Sequence, residues 1–261
     1  MTSTLIMAYL KGDAHVVSCL GTIEILCKLL RNNFDPIKDS LIVSKGHASL
    51  ALYSVLLELE VISNEQFLNF REEKSELGIH VSKSFANFSK LATGSLGHGI
   101  SFGAGIALAN KIKGTPGKVY VIVGDGELNE GSNFEGLQIA STNHLNNLIV
   151  VVDHNGVQSV ATYAQVSGDN TITDKFKAFG WNSLELKEPL EKSSTSFKIE
   201  SPNSKPTAFV YFSGVSPVIP YFQNKVEWHY KKPTLEDLSF AFKYLEPHKN
   251  APEYLVWISR T

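Results

Sequence analysis

The sequence predicts an α/β fold: a doubly wound, mostly parallel sheet with helices on both faces. Three observations carry that expectation. Short apolar, β-branched runs recur at 41–43 (LIV), 118–123 (KVYVIV), 147–152 (NLIVVV) and 207–212 (TAFVYF), and unbroken apolar runs of this length suit strands buried on both faces. Helix-compatible segments separate them. Between the second and third runs, SNFEGLQIASTNHL at 132–145 has helical spacing, which makes strand, crossover helix and strand one βαβ unit of a parallel sheet.

The elements follow in chain order. The N-terminal MTSTLIMAYLKGDAH has a short apolar stretch with no basic region before it and no small-residue cleavage site behind it, so it is not read as a secretion signal. SCLGTIEILCKLL at 18–30 reads as a helix holding Cys19 and Cys27. Eight residues at 1.5 Å each put these cysteines about 12 Å apart, too far for a disulfide within one helix. Their spacing also does not suit a metal site, and they are read as small buried hydrophobes. LGHGISFGAGIALANKI at 96–112 carries small residues on several faces and reads as a helix packed closely on its neighbours. Ser132 is the expected cap of the crossover helix. The Ser-, Lys- and Pro-rich stretch 187–205 reads as an exposed connection with one short helix. PTLEDLSFAFKYLEPH starts a surface helix near Pro233 and Thr234, and EYLVWIS at 253–259 is a final strand candidate.

At 261 residues the chain is read as one domain, 1–261. Its formal charge of −2 arises from 24 basic and 26 acidic side chains, with arginine only at Arg31, Arg71 and Arg260, so no field draws it to nucleic acid. No apolar run approaches the roughly 20 residues that cross a bilayer. No membrane association and a cytoplasmic location are expected.

The chemistry concentrates in VIVGDGELNEG at 121–131. An apolar strand ends in Gly-Asp-Gly, which presents Asp125 at the carboxyl end of a parallel strand, where such sheets bind ligands. Gly124 and Gly126 let backbone approach a phosphate with no Cβ in the way. Alone, Gly-Asp-Gly also reads as an ordinary turn. The next strand adds Asn155 in NLIVVVDHNGVQ, 155 − 125 = 30 residues on, one βαβ turn away. A carboxylate and an amide oxygen at neighbouring strand ends suit Mg²⁺ or Ca²⁺ and leave coordination positions for a diphosphate.

The pattern resembles the thiamine diphosphate enzymes, whose metal motif is GDG followed about thirty residues later by Asn. SKGHASLALYSVL (44–56), TGSLGHGISFGAGIALA (93–109), GDGELNEG and VVDHNGVQ together resemble the N-terminal half of transketolase, over 5–180 and again at KVEWH. The resemblance implies a thiamine diphosphate-binding fold in which Asp125, Asn155 and the carbonyl of Val157 hold Mg²⁺, with Gly124 and Gly126 near the diphosphate. It places Gly94 and Leu96 at the aminopyrimidine and His47 near the thiazolium and diphosphate. His15, His80 and His229 then serve the sugar, His229 also reaching the phosphate side, and Glu130 lies between the two active sites. Imidazoles exchange protons near working pH, as ketol transfer requires. Each of these histidines taken singly also reads as a capping or loop residue. His98, His144, His154 and His248 are read as structural or surface residues.

The resemblance also implies a missing part. In transketolases the glutamate that activates the cofactor at N1′ comes from a pyrimidine domain C-terminal to this region, so a second, C-terminal transketolase-like subunit is the expected partner. A dimer of heterodimers follows, with apolar surface at 99–109 and 134–139 as its interface. The expected activity is transfer of a two-carbon ketol unit between a ketose and an aldose. Departures qualify it: AHVVSCLG at 14–21 puts Val17 and Ser18 at family glycines, 215–221 replaces a basic loop, WHYKKP puts Tyr230 at another glycine, and a DGHD segment is absent. They fit altered substrates, or alternatively a subunit that is catalytically degenerate and serves a structural or regulatory role. Dinucleotide binding is disfavoured, since GSLGHG follows no strand. SKGHAS and TGSLGHG set the chain apart from decarboxylating ketoacid dehydrogenases.

Overall fold

In the computed structural model, which describes residues 1–12, 15–82, 85, 88–168, 171–187, 204–213, 219, 222 and 225–245, five strands among the described residues form one sheet. They are β1 (Ser40–Val43), β2 (Val119–Gly124), β3 (Leu148–Asp153), β4 (Asn182–Leu186) and β5 (Thr207–Tyr211). The order is β1-β2-β3-β5-β4 and every pairing is parallel. All carboxyl ends therefore lie along one edge. The helices are α1 (Thr2–Lys11), α2 (Val16–Asn32), α3 (Ser49–Glu58), α4 (Asn64–Leu68), α5 (Gly99–Lys113), α6 (Gly131–Thr142), α7 (Tyr163–Ser167), α8 (Ile172–Ala178) and α9 (Leu235–Phe242).

The period-2 geometry of a strand divides its apolar residues between two cores. Leu41, Tyr120, Ile122, Ile149, Val151, Phe209 and Tyr211 face a core built with α1, α2, α3 and α9. Ile42, Val119, Val121, Val123, Leu148, Val150 and Val152 face the other, built with α5, α6 and α8. This is the doubly wound arrangement that the unbroken apolar runs imply. Helix α5 sits close to the sheet edge because its residues are small. A β-carbon on Gly99 would lie 2.3 Å from the Ser44 β-carbon.

Two expectations are corrected, and one strand has no counterpart in the sequence reading. Ser132 does not cap α6, whose N-cap is Glu130 with no side-chain cap bond; the Ser132 hydroxyl instead donates to the Gly97 carbonyl at 2.8 Å. The helix expected from 96 begins at Gly99, because Gly97, at φ +84°, still belongs to the preceding turn. Strand β4 went unforeseen: it is a half-exposed edge strand with polar residues, and it lacks the apolar run that marks its neighbours. Helix α9 starts as expected, with Thr234 and Asp237 forming a capping box. Cys19 and Cys27 are both free thiols on α2, and burial pushes Cys19 up to about 12. Among the described residues no helix is long and apolar enough to cross a membrane. The 253–259 strand candidate, His248, most of 187–205 and all of 215–221 except Ile219 lie outside the described residues.

Candidate active site

The carboxyl edge of the sheet gathers the motifs. Asp125 leaves β2 almost fully buried, and its Oδ1 accepts from the Gly126 amide at 2.7 Å. Its Oδ2 accepts from the Gly156 amide at 2.9 Å, which ties it to the loop after β3. Asn155 is buried in that loop, its Oδ1 accepting from the Val157 amide at 3.0 Å. The expected set of Asp125, Asn155 and Val157 thus occupies adjacent strand ends, as the 30-residue spacing requires. His154, read from sequence as structural or surface, belongs with this set. Its Nδ1 lies 2.7 Å from Asp125 Oδ2, and its ring packs edge-on against Tyr163 and Phe212.

Glu127 joins three motifs. Its carboxylate accepts from the Ser44 hydroxyl, from the Gly97 amide at 2.9 Å and from the Gly124 amide at 3.3 Å. Burial pushes this carboxyl above the usual range, against the pull of those donors and of Lys45. The Gly124 and Gly126 amides are therefore already engaged by Glu127 and Asp125; a β-carbon on Gly124 would meet the Lys45 side chain at 3.9 Å, whereas one on Gly126 would lie 3.1 Å from the Gln158 side chain.

A histidine cluster faces the same edge. The His15 and His47 rings are 4.9 Å apart, His15 and His229 5.1 Å, and His47 and His229 5.8 Å. His15 stands at the start of α2, His47 in the tight turn Gly46–Ala48 after β1, and His229 in the turn Val226–His229. His80 is more exposed and lies beside Gly94, where a β-carbon would sit 3.4 Å from its ring. Burial, with the Lys45 charge and the neighbouring imidazoles, holds His47 well below the usual imidazole range. Burial, with His15 and Lys45, lowers His229 to about 4. These two imidazoles are neutral near pH 7, the form that can both donate and accept a proton. Tyr230 packs edge-on against His15 and His229 at 5.1 and 4.9 Å and stays 63% exposed.

Below the cluster, Lys45 Nζ donates to Asp153 Oδ2 at 2.6 Å, with the two side chains 1% and 0% exposed. Neither residue was singled out from the sequence, although both lie in the quoted SKGHAS and VVDHNGVQ motifs. The available signal was a charge at the carboxyl end of an apolar run: Asp153 closes LIVVVD, and Lys45 comes two residues after Val43. Leu96 is partly buried; its carbonyl lies 2.9 Å from His98 Nδ1. Glu130 is exposed beside Gly97.

These residues fit a metal-held diphosphate. Their oxygens are hard, and among the described residues no group of three or more His, Cys, Asp or Glu side chains is placed to hold a metal ion. A cation here would draw on one carboxylate, one amide oxygen and one carbonyl. His229 Nδ1 and Thr93 Oγ1 are buried without a hydrogen-bond partner among the described residues, so polar capacity is left at the site.

Comparison with known proteins gives the family. Residues 31–211 match the family model "Transketolase, thiamine diphosphate binding domain". A subunit of the apulose-4-phosphate transketolase of Actinobacillus succinogenes is 30% identical over 244 residues, covering 90% of this chain and 88% of the relative. Its namesake from Phocaeicola vulgatus is 32% identical over 208 residues, 79% of this chain and 74% of that protein. Human transketolase is 31% identical across 84% of this chain but only 36% of its own length. Among solved structures, Campylobacter jejuni transketolase superposes with a TM-score of 0.73 at 21% identity, over 94% of this chain and 45% of that one. The chain spans less than half the length of these single-chain transketolases. With its family model spanning all five described strands and the loops that bear Asp125 and Asn155, the chain belongs to the transketolase family, in the part that forms the thiamine diphosphate-binding domain.

Proposed function

We propose that this chain is the diphosphate-side subunit of a split, thiamine diphosphate-dependent transketolase-like enzyme that moves a two-carbon ketol unit from a ketose to an aldose. The observation that carries the reading is the placement of three mutually contacting imidazoles at the same sheet edge as the Asp125 and Asn155 loops. Thiamine diphosphate, when bound, would supply the nucleophilic carbon centre that ketol transfer needs. Asp125, Asn155 and the Val157 carbonyl would hold Mg²⁺, or Ca²⁺ as another hard cation. Gly94 and Leu96 would border the aminopyrimidine, and His47 the diphosphate side. His15, His80 and His229 hold or move protons at the hydroxyl and carbonyl oxygens of the sugar.

A second, C-terminal transketolase-like polypeptide would supply the pyrimidine-domain glutamate. Two relatives matched over most of their length are named as transketolase subunits rather than as whole transketolases, which supports a two-chain enzyme. Phe102 on α5 and Ile139 on α6, 44% and 48% exposed, give apolar surface for the expected dimer of heterodimers. A cytoplasmic location and a sugar substrate belong to the same reading. A catalytically silent subunit is the second reading; it draws on Tyr230 crowding the imidazoles.

The test is titration of thiamine diphosphate into the chain with its partner, with and without Mg²⁺. Asp125→Ala removes the one carboxylate of the donor set and should weaken Mg²⁺-dependent binding by at least about 100-fold, the upper end of what losing even an outer-shell partner of a ligand costs. Unchanged affinity overturns the assigned site. Ketol transfer that disappears in His229→Ala while cofactor binding persists separates the active from the silent reading.

A further inference from the structure

We propose that Lys45, through its bridge to Asp153, is a positioning residue that fixes the loop bearing His47 against the loop bearing Asn155, so that both sides of the site keep one geometry. The inference rests on the reading of Asp125 and Asn155 as the diphosphate side.

The sheet order makes the bridge unusual. Lys45 follows β1 and Asp153 ends β3, and β2 lies between these strands. Strands two places apart are roughly 10 Å from one another, a span that takes a long side chain. The Lys45 stem crosses the end of β2, its Cε 3.9 Å from where a Gly124 β-carbon would stand.

Asp153 is also held from two further directions. Thr22 Oγ1 on α2 lies 3.0 Å from Oδ2, its hydroxyl shared with the Ser18 carbonyl at 2.7 Å. The Ser213 hydroxyl, beyond β5, donates to Oδ1. Helix α2 comes this close because residue 21 is glycine: a β-carbon there would fall 2.7 Å from both Asp153 Oδ1 and Ser213 Oγ. One carboxylate thereby gathers donors from the β1 loop, α2 and the segment after β5.

Taking both charges out of water is costly, and apolar residues of similar size often stabilise a core as well or better. Stability alone is a weak account of the pair. What an apolar pair would not supply is a directional link, and the loops so linked carry His47 on one side and Asn155 on the other.

The experiment uses the full chain and, for binding, the chain with its partner. Amide exchange at Gly46, Ala48, Gly156 and Val157 is compared with that at Val121 and Val150 in the sheet, and thiamine diphosphate affinity is measured with Mg²⁺. Lys45→Met should raise exchange in both loops at least about tenfold relative to the sheet and weaken the cofactor by a similar factor, with Lys45→Arg recovering part of each. The double variant K45M/D153N removes both charges and keeps one oxygen, for either Thr22 or Ser213, while the amide N–H₂ can donate to the other hydroxyl oxygen, so the test survives if K45M fails to fold. In the double variant, wild-type unfolding midpoint with affinity still reduced supports positioning. Affinity returning along with stability, or loop exchange unchanged in a folded K45M protein, overturns it. If Asp125→Ala leaves cofactor affinity intact, the diphosphate reading fails, while the exchange comparison still decides whether Lys45 braces the two loops.

Discussion

The Ser44 hydroxyl donates to the Glu127 carboxylate, joining the loop after β1 to the turn after β2, and it accepts in turn from the Gly99 amide at 3.1 Å. Glu127 is thus the acceptor for donors from three motifs. Glutamine at 127 would keep one oxygen for Ser44 and Gly97 but turn an amide N–H₂ toward the Gly124 N–H. Alanine would leave all three donors without the acceptor. Glu127→Gln should cost about 1–2 kcal/mol and Glu127→Ala about 2–4, following the usual cost of unmet buried donors. Urea unfolding at pH 7 measures both, and equal stability of the two variants would refute the acceptor role.

Two glycines close together in sequence should respond oppositely to alanine. Gly97 has φ +84°, and a β-carbon there would sit 2.5 Å from the Glu130 β-carbon and 2.7 Å from Ser132 Oγ. Gly105 lies exposed within α5 with nothing within 4 Å of an added methyl. Gly97→Ala should destabilise by about 2–4 kcal/mol through strain and overpacking. Gly105→Ala should stabilise the isolated chain by about 0.5–1 kcal/mol through helix propensity. Thermal unfolding of the two variants checks the pair; a loss of stability in Gly105→Ala contradicts the open geometry.

The central sheet was legible because burial on both faces writes itself as unbroken apolar runs, as at Val119–Gly124 and Leu148–Asp153. Strand β4 was not, since an edge strand with half-exposed positions has no such signature. The convergence of Asp125 and Asn155 could be read from their spacing, because one βαβ turn fixes adjacent strand ends. The partners of their neighbours could not. Lys45 meets Asp153 across 108 residues, and Ser44 meets Glu127 across 83. Such pairings depend on strand order, which local periodicity does not encode. The Ser132 expectation failed for a similar reason, as its hydroxyl found a carbonyl 35 residues away.

Stability should fall as the chain is acidified through the imidazole range. His47 and His229 are held neutral in the folded protein, His229 down to about 4, whereas an unfolded imidazole takes up its proton near about 6.5. Below that value the unfolded chain binds more protons, so stability present above about pH 6.5 is progressively lost toward the folded values. Ordinary carboxylates contribute mainly below about pH 4.5, and Glu127, raised by burial, opposes the loss above it, so the imidazole contribution is read over about pH 6.5 to 5 as the difference between wild type and His229→Gln. Urea midpoints should drop across it in the apo chain, and His229→Gln should flatten the slope. A pH dependence that is the same in wild type and His229→Gln over this interval contradicts the neutral cluster.

Tyr230 sets the outer boundary of the imidazoles. Its ring lies about 5 Å from both His15 and His229 while most of its surface stays open to solvent, at a position where the family resemblance implies glycine. A phenol ring there narrows the approach to the two imidazoles expected to meet the sugar, so the longer of two ketoses should be the more hindered. Tyr230→Gly in the two-chain enzyme should raise kcat/KM for the longer ketose relative to the shorter by at least about fivefold, within the range that pocket contacts of one or two methylenes command. The measurement is the ratio of kcat/KM for two ketose donors differing in chain length, with thiamine diphosphate affinity as control. If that ratio is unchanged while the cofactor still binds, the ring does not border the sugar path, and the crowding at His15 and His229 has no bearing on substrate choice.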